Sequence, residues 1–310
     1  MDPEVEFGEA LESGSGLGLG LGLDGKSRAA EATVAADAGA ALRDLPSARV
    51  GIALQDIPEY EWKPVMERLP STGDRGRTVE QFRSLRSRMQ ELRNANPALK
   101  SILVSSGLPQ EGKSFVAVNL AVSLARHKTS RVLLIDGDMR RASLHKVLGC
   151  PTDGPGLSEY LAGMATVGQI LQRARHGVDG KPLPHGIGSL VFIGAGAESE
   201  KASDLSGNHR FEELVAMLAP YFDWMIVDSS PVNLVADGIN LARGCDGVLL
   251  IAREGVTKLD VAQRAVAELK SSKLLGFVLN AAQNTHPPGG YYYEYSGYDA
   301  VEKKGSAPQG

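Results

Sequence analysis

The sequence predicts an α/β fold, a doubly wound and mostly parallel sheet, and two observations predict it. Six short apolar runs, at residues 102–104, 132–135, 190–193, 225–227, 248–251 and 275–279, read as strands buried on both faces. Beside them, residues 115–125, 157–171, 211–218 and 259–269 repeat their apolar positions at helical spacing. Strands that alternate with helices pair in parallel, and their crossovers cover both faces of the sheet. Such a sheet places its ligand beyond the carboxyl ends of the strands.

The elements follow in order. Residues 1–76 are rich in Gly, Ala, Ser and acids with little periodicity, and read as a flexible low-complexity extension. Within it, Leu and Gly alternate over residues 17–23, a poor helix, while Tyr60, Trp62, Pro64 and Val65 form a small cluster expected to pack back on the domain. A helix is predicted over 78–95, where Phe82, Leu85, Met89 and Leu92 share one face, and Pro97 ends it. The catalytic-sized domain spans 77–286, and the Pro-, Gly- and Tyr-rich residues 287–310 read as a disordered tail.

Bulk properties narrow the class. With 310 residues, 43% of them hydrophobic, the chain can bury one large core. A net charge of −4 argues against a nucleic-acid partner, because neutralising many phosphates needs a basic surface. Cys150 and Cys245 form no CxxC pair, which suggests neither a disulfide framework nor a zinc site. Neither a run of 18 apolar residues nor a basic leader is present, so a cytoplasmic protein is expected.

Three motifs carry chemistry. The first runs from Gly107 through Gln110, Glu111 and Gly112 to Lys113 and Ser114, satisfying GxxxxGK[ST] between a predicted strand and a predicted helix. Its backbone N–H groups and the helix N-terminus would cradle phosphates, with Lys113 reaching the outer ones and the Ser114 hydroxyl ligating Mg2+. The second, after the 132–135 run, is Asp136-Gly137-Asp138, two carboxylates at alternate positions that point into one crevice and suit Mg2+ and a catalytic base, for which Asp136 is the candidate. The third closes the 225–227 run with Asp228, which reads as a Walker B acid and a further Mg2+ ligand. A phosphate cradle, a cation and metal-orienting acids are nearly all that phosphoryl transfer from ATP requires. Five of the eight tyrosines, Tyr291, Tyr292, Tyr293, Tyr295 and Tyr298, then read as acceptors in a mobile segment.

On these residues the sequence resembles the bacterial tyrosine autokinases of capsule and exopolysaccharide synthesis, a deviant Walker group of P-loop proteins that end in a tyrosine cluster. The likeness covers the phosphate loop before Asn119-Leu120-Ala121, LLIDGDMR at 133–140, VDSSPV at 227–232, Asp237, DGVLLIAR at 246–253 and LLGFVLN at 274–280. It extends to GLSEYLAG at 156–163. The resemblance implies that Lys113, Ser114, Asp136, Asp138 and Asp228 carry catalysis and metal binding. It adds Arg140 to the catalytic set, Phe115 to the nucleotide contacts and Asn280 as an adenine contact. It also implies that Glu80, Arg83 and Arg86, spaced three apart on one helix face, pair with the next subunit of a homo-oligomeric ring. A membrane-embedded chain-length regulator is the implied activator, recruiting the protein to the inner face of the membrane. Two positions depart from the pattern: Gln110 stands where the family usually has Gly, and Ser230 where a second Pro is common. The alternatives are a partitioning-type switch ATPase, which would carry a lysine at the position of Leu108, and a non-catalytic nucleotide-binding regulator of polysaccharide export.

Overall fold

A computed structural model describes residues 5–8, 56–127, 129–175, 181–197 and 201–282. The strands in chain order are β1 (Val5–Gly8), β2 (Glu59–Tyr60), β3 (Ser101–Ser106), β4 (Val132–Asp136), β5 (Leu171–Ala174), β6 (Leu190–Ile193), β7 (Trp224–Asp228), β8 (Gly247–Arg253) and β9 (Leu274–Asn280). They form one sheet in the order β1-β9-β8-β3-β7-β4-β6-β5-β2. From β9 to β6 every pairing is parallel, as the alternating pattern predicts. Two outer strands break the rule: β1 runs antiparallel to β9 and β5 antiparallel to β6.

Alternate residues of each central strand feed opposite layers. Ile102, Val104, Val132 and Leu134 enter one apolar layer, while Leu103, Leu133 and Ile135 enter the other. The first layer is covered by α1 (Arg77–Ala95) and α2 (Lys113–Ala125). Helix α1 buries Val79, Phe82, Leu85 and Met89 on one face, and burying each of the last three contributes roughly 1.5–3 kcal/mol. Helix α2 is apolar nearly all round, and every residue from Val116 to Ala125 is buried. The short helix α3 (Leu144–Leu148) joins the same layer.

The opposite layer holds α4 (Leu157–Leu161), α5 (Val167–Ile170), α6 (Ala202–Ser206), α7 (Arg210–Leu218), α8 (Asp237–Arg243) and α9 (Leu259–Glu268). Helix α9 lies shallowly, with Ala265 as its one buried residue.

Two expectations are corrected. The single helix expected over 157–171 is two short helices followed by β5. The chain reverses at Gly163, whose φ of 76° is glycine's own, and restarts at a Thr166–Gln169 capping box, so period alone misjudged the segment. The extension expected to run flexibly to residue 76 gives up its last part to the domain. Trp62 is fully buried, edge-on to Phe192 at 6.2 Å, Leu69 is fully buried, and β2 pairs with β5. The rest of the extension apart from β1, and the tail with its five tyrosines, lie outside the described residues.

Among the described residues no helix is long and apolar enough to cross a membrane.

Candidate active site

Strand β3 ends at Ser106, and the phosphate loop then turns into α2, whose first residue is Lys113. The turn needs two left-handed residues: Gly112 at φ 97° and Gln110 at φ 64°. Gln110 thus adopts the glycine-like conformation rather than reshaping the loop, at a cost of roughly 1–2 kcal/mol. Gly112 has no freedom to be anything else, because a Cβ there would stand 1.9 Å from Asn280 Nδ2.

The loop is fastened from behind by residues remote in sequence. Glu111 Oε2 accepts from the Leu108 N–H at 2.8 Å, and its Oε1 accepts from the Thr257 hydroxyl. Asn280 Nδ2 donates to the Glu111 carbonyl at 2.9 Å, and Arg253 Nη1 donates to the Gln110 carbonyl at 3.3 Å. Glu111 was expected to touch the nucleotide; its carboxylate is instead occupied in holding the loop. Asn280 likewise sits against the loop, its Oδ1 buried with no hydrogen-bond partner among the described residues. The ring of Phe115 is half-buried and packs on Phe82 at 5.7 Å against the core, so only its backbone faces the loop end of α2. What remains for phosphates is the row of free N–H groups at the α2 N-terminus, a ready anion site.

Lys113, on the first turn of α2, reaches the acids at the ends of β4 and β7. Its Nζ lies 2.8 Å from Asp138 Oδ2, 3.7 Å from Asp228 Oδ1 and 3.2 Å from the Ser114 hydroxyl. Burial opposes its charge, but Asp228 and Asp138 outweigh that and raise the ammonium pKa above its usual value, so Lys113 stays cationic. Burial also acts to raise Asp138, and there Lys113, the Ser230 hydroxyl and the Arg141 N–H prevail and hold the carboxyl below the usual range. Ser230, the second position that departs from the expected pattern, donates to Asp138 Oδ1 at 3.0 Å.

Asp136 and Asp228 are both fully buried, yet they serve differently. Asp136 accepts the N–H groups of Ser143 at 3.1 Å, Leu144 at 3.0 Å and Asp138 at 3.3 Å, so it organises the acid loop and the start of α3. Burial, with Asp228 nearby, pushes its carboxyl up to about 7. Asp136, expected as base and metal ligand, is not among the residues that line the cavity between the phosphate loop and the acid loop; the carboxylate lining it is Asp138. Neither oxygen of Asp228 has a hydrogen bond of good geometry, although the Ser114 hydroxyl is near enough to favour its charged form. Burial raises its pKa, against the Lys113 ammonium at 3.7 Å, and a buried carboxylate without hydrogen bonds is further satisfied by a cation.

A cavity of about 410 Å³ opens between the phosphate loop and the acid loop. Pro109, Gln110, Lys113, Ser114, Asp138 and Arg140 are among its lining, with Pro231 and Leu234 on an apolar wall that sequence reasoning missed. Arg140 is oriented by buried Asp237, with Nε 2.6 Å from Oδ2, and by the Ser203 hydroxyl at 2.9 Å. A larger cavity of about 750 Å³ lies near Tyr60, His145, Glu159 and Phe192. Neither Lys nor Arg lines it, which leaves phosphate chemistry to the smaller one.

The expected ring motif lies on α1, away from this cavity. Arg83 Nη1 pairs with Glu80 at 2.5 Å and Nη2 donates to the Asp74 carbonyl at 2.9 Å, while Arg86 donates to the Ser123 carbonyl at 3.0 Å. All three side chains thus have partners within one chain.

A parallel α/β sheet carrying this loop between β3 and α2, with acids at the ends of β4 and β7, defines a P-loop nucleotide-binding protein. No family model matches the chain. The tyrosine-protein kinase CpsD of Streptococcus pneumoniae is 34% identical over 205 residues, covering 64% of this chain and 84% of that protein. The tyrosine-protein kinase ptk of Acinetobacter johnsonii is 31% identical over 67% of this chain, which spans only 27% of that longer protein. In structure, the kinase domain of the Escherichia coli tyrosine kinase ETK matches with a TM-score of 0.61 at 25% identity, covering 73% of this chain and 85% of that one. The chain belongs to the bacterial tyrosine-protein kinase family.

Proposed function

We propose that this chain is an ATP-dependent tyrosine autokinase whose acceptors are Tyr291, Tyr292, Tyr293, Tyr295 and Tyr298 of a second copy. The observation that carries the reading is Lys113 held between Asp138 and Asp228 at the mouth of the phosphate loop. A cation fixed by two buried acids is preorganised for charge that develops on a transferring phosphoryl group.

The N–H groups at the start of α2 and the Lys113 ammonium hold the outer phosphates of ATP, and the 410 Å³ cavity leaves room for a phenol to approach. As the tyrosyl oxygen–phosphorus bond forms, the bond from the γ-phosphorus to the bridging oxygen breaks and ADP leaves. The phenol arrives protonated, with a pKa near 10, and releases its proton late to Asp138, which lines the cavity. Arg140, oriented by Asp237, faces the same space and offsets charge on the phosphoryl oxygens. Ser114 and Asp228 would hold Mg2+: a hydroxyl beside a buried carboxylate whose oxygens accept no hydrogen bond of good geometry, with Lys113 at 3.7 Å, suits a hard cation. Held there, the ion would supply positive charge to offset the negative charge of the phosphates.

In this reading the kinase works at the inner face of the membrane beside a membrane-embedded activator, in a ring whose contacts include Glu80, Arg83 and Arg86. Phosphorylation places roughly −1.5 to −2 charges on each tail tyrosine, which drives the tail from the neighbouring site and regulates capsule or exopolysaccharide export.

Intact-mass measurement of the full chain with Mg-ATP is expected to show successive phosphate additions confined to the peptide containing residues 291–298, and Lys113→Met is expected to abolish them. Labelling that survives Lys113→Met refutes the site. ATP hydrolysis with an unmodified tail points to a switch ATPase instead.

A further inference from the structure

Three cationic side chains line the cavity: Lys113, Arg140 and Arg141. Two of them are already matched to acids, Lys113 with Asp138 and Asp228 and Arg140 with Asp237. Arg141 differs. Its backbone is anchored, the N–H meeting both Asp138 O and Asp138 Oδ1 at 3.1 Å, yet its exposed guanidinium has no ion pair or hydrogen bond to any described residue. It belongs to the acid loop, whereas the nucleotide phosphates are provided for by the α2 N-terminus and Lys113. A rooted cation at the rim of a transfer site, left without an acid of its own, is suited to an acid on the incoming substrate.

The tail sequence offers acids at the matching places. Glu294 lies between Tyr293 and Tyr295, and Asp299 follows Tyr298, whereas Tyr291 and Tyr292 have no acidic neighbour. We propose that Arg141 is a specificity-determining residue that pairs with a carboxylate adjacent to the acceptor tyrosine, so that the substrate class is tyrosine next to Glu or Asp. The inference rests on the tyrosine-kinase reading above and adds to it an order among the acceptors. Tyr293, Tyr295 and Tyr298 are modified before Tyr291 and Tyr292. The pairing is at the surface and steers encounter more than it binds, so its effect weakens as salt rises.

The test separates enzyme from acceptor. The enzyme is the full chain with Phe at the five tail tyrosines, with and without Arg141→Glu; the acceptor is the full chain carrying Lys113→Met, with and without Glu294→Lys and Asp299→Lys. Initial rates are read site by site by mass spectrometry at saturating ATP and low salt. Arg141→Glu is expected to slow the native acceptor about fivefold, on the order of what one rim charge contributes. It should leave the KM for ATP unchanged and should restore most of the rate when paired with the Lys-bearing acceptor. Equal rates on both acceptors, or a KM for ATP that rises as the peptide rate falls, overturn the inference and assign Arg141 to no substrate or to the nucleotide. If the enzyme with native Arg141 phosphorylates no tyrosine at all, it is the kinase reading that fails. Arg141→Lys, which keeps the charge, should retain the acceptor order.

Discussion

The phosphate loop and the acid loop face each other across one cavity, and the backbone of each is held by a different balance of local and remote contacts. In the acid loop Asp136 and Asp138 accept backbone N–H groups at most eight residues along the chain, and remote groups add to that frame: Ser230 and Lys113 at Asp138, and Asp237 at Arg140. The phosphate loop is organised from outside, by Arg253, Thr257 and Asn280, which lie 143 to 169 residues away in sequence. One loop carries much of its scaffold in its own motif, and the other takes most of it from β8, the turn after it and β9. Remote fastening ties the conformation of the phosphate loop to β9 through Asn280.

Removing what joins the two loops should have the largest effect. Lys113→Met takes away the ammonium that meets Asp138 and Asp228 and leaves two buried acids facing each other. Tyrosine phosphorylation should fall by at least 10²–10³-fold, the scale of a lost electrostatic stabiliser, measured as the initial rate of phosphotyrosine formation.

Cutting the remote fastening comes next. Asn280→Ala removes the donor to the Glu111 carbonyl at 2.9 Å. A buried hydrogen bond of roughly 1–2 kcal/mol corresponds to a rise in the KM for ATP of about tenfold, with a smaller change in kcat. Equal loss in kcat and no change in KM would show that the loop does not depend on β9.

The acid loop is tested by pH. Asp136 has its carboxyl pushed up to about 7 by burial and by Asp228, so between about pH 4 and 7 the folded state binds protons that the unfolded chain has released. Stability without nucleotide should therefore be greatest at the acid end of that window and fall as pH rises through 7. A decrease in Tm on the order of 5–10 °C between pH 5 and 8 is expected by scanning calorimetry. Asp136→Asn should flatten that slope while lowering the Tm at pH 5, because the amide cannot accept all three N–H groups.

Gln110→Gly should have the smallest effect. Its φ of 64° suits glycine, so the substitution removes strain in the folded loop while adding freedom to the unfolded one. The net change in stability should be within about 1 kcal/mol, with the KM for ATP moving less than about threefold, read by thermal shift and by kinetics.

Much of the molecule was legible in the sequence. All six apolar runs are strands, five of them buried on both faces and therefore apolar throughout, while residues of β9 alternate buried and half-buried, and the phosphate loop occupies the predicted junction. The break at Gly163 was not legible, since apolar residues recur at helical spacing over 157–171 across a turn that only backbone conformation reveals. The acids Asp136, Asp138 and Asp228 were visible as residues, but their division of labour was not. It depends on which oxygens meet N–H groups in the folded chain.

By itself, then, the sequence determined the parallel sheet, the phosphate loop and the set of acids, since periodicity and motif spacing are local and the chain states them directly. Tertiary structure decided the rest: that Glu111 and Asn280 hold the loop, that Asp136 organises and Asp138 faces the cavity, and that residues near Trp62 belong to the core. Those roles are set by contacts between segments far apart in the chain, and a linear pattern carries no record of which distant side chain will satisfy a buried polar group.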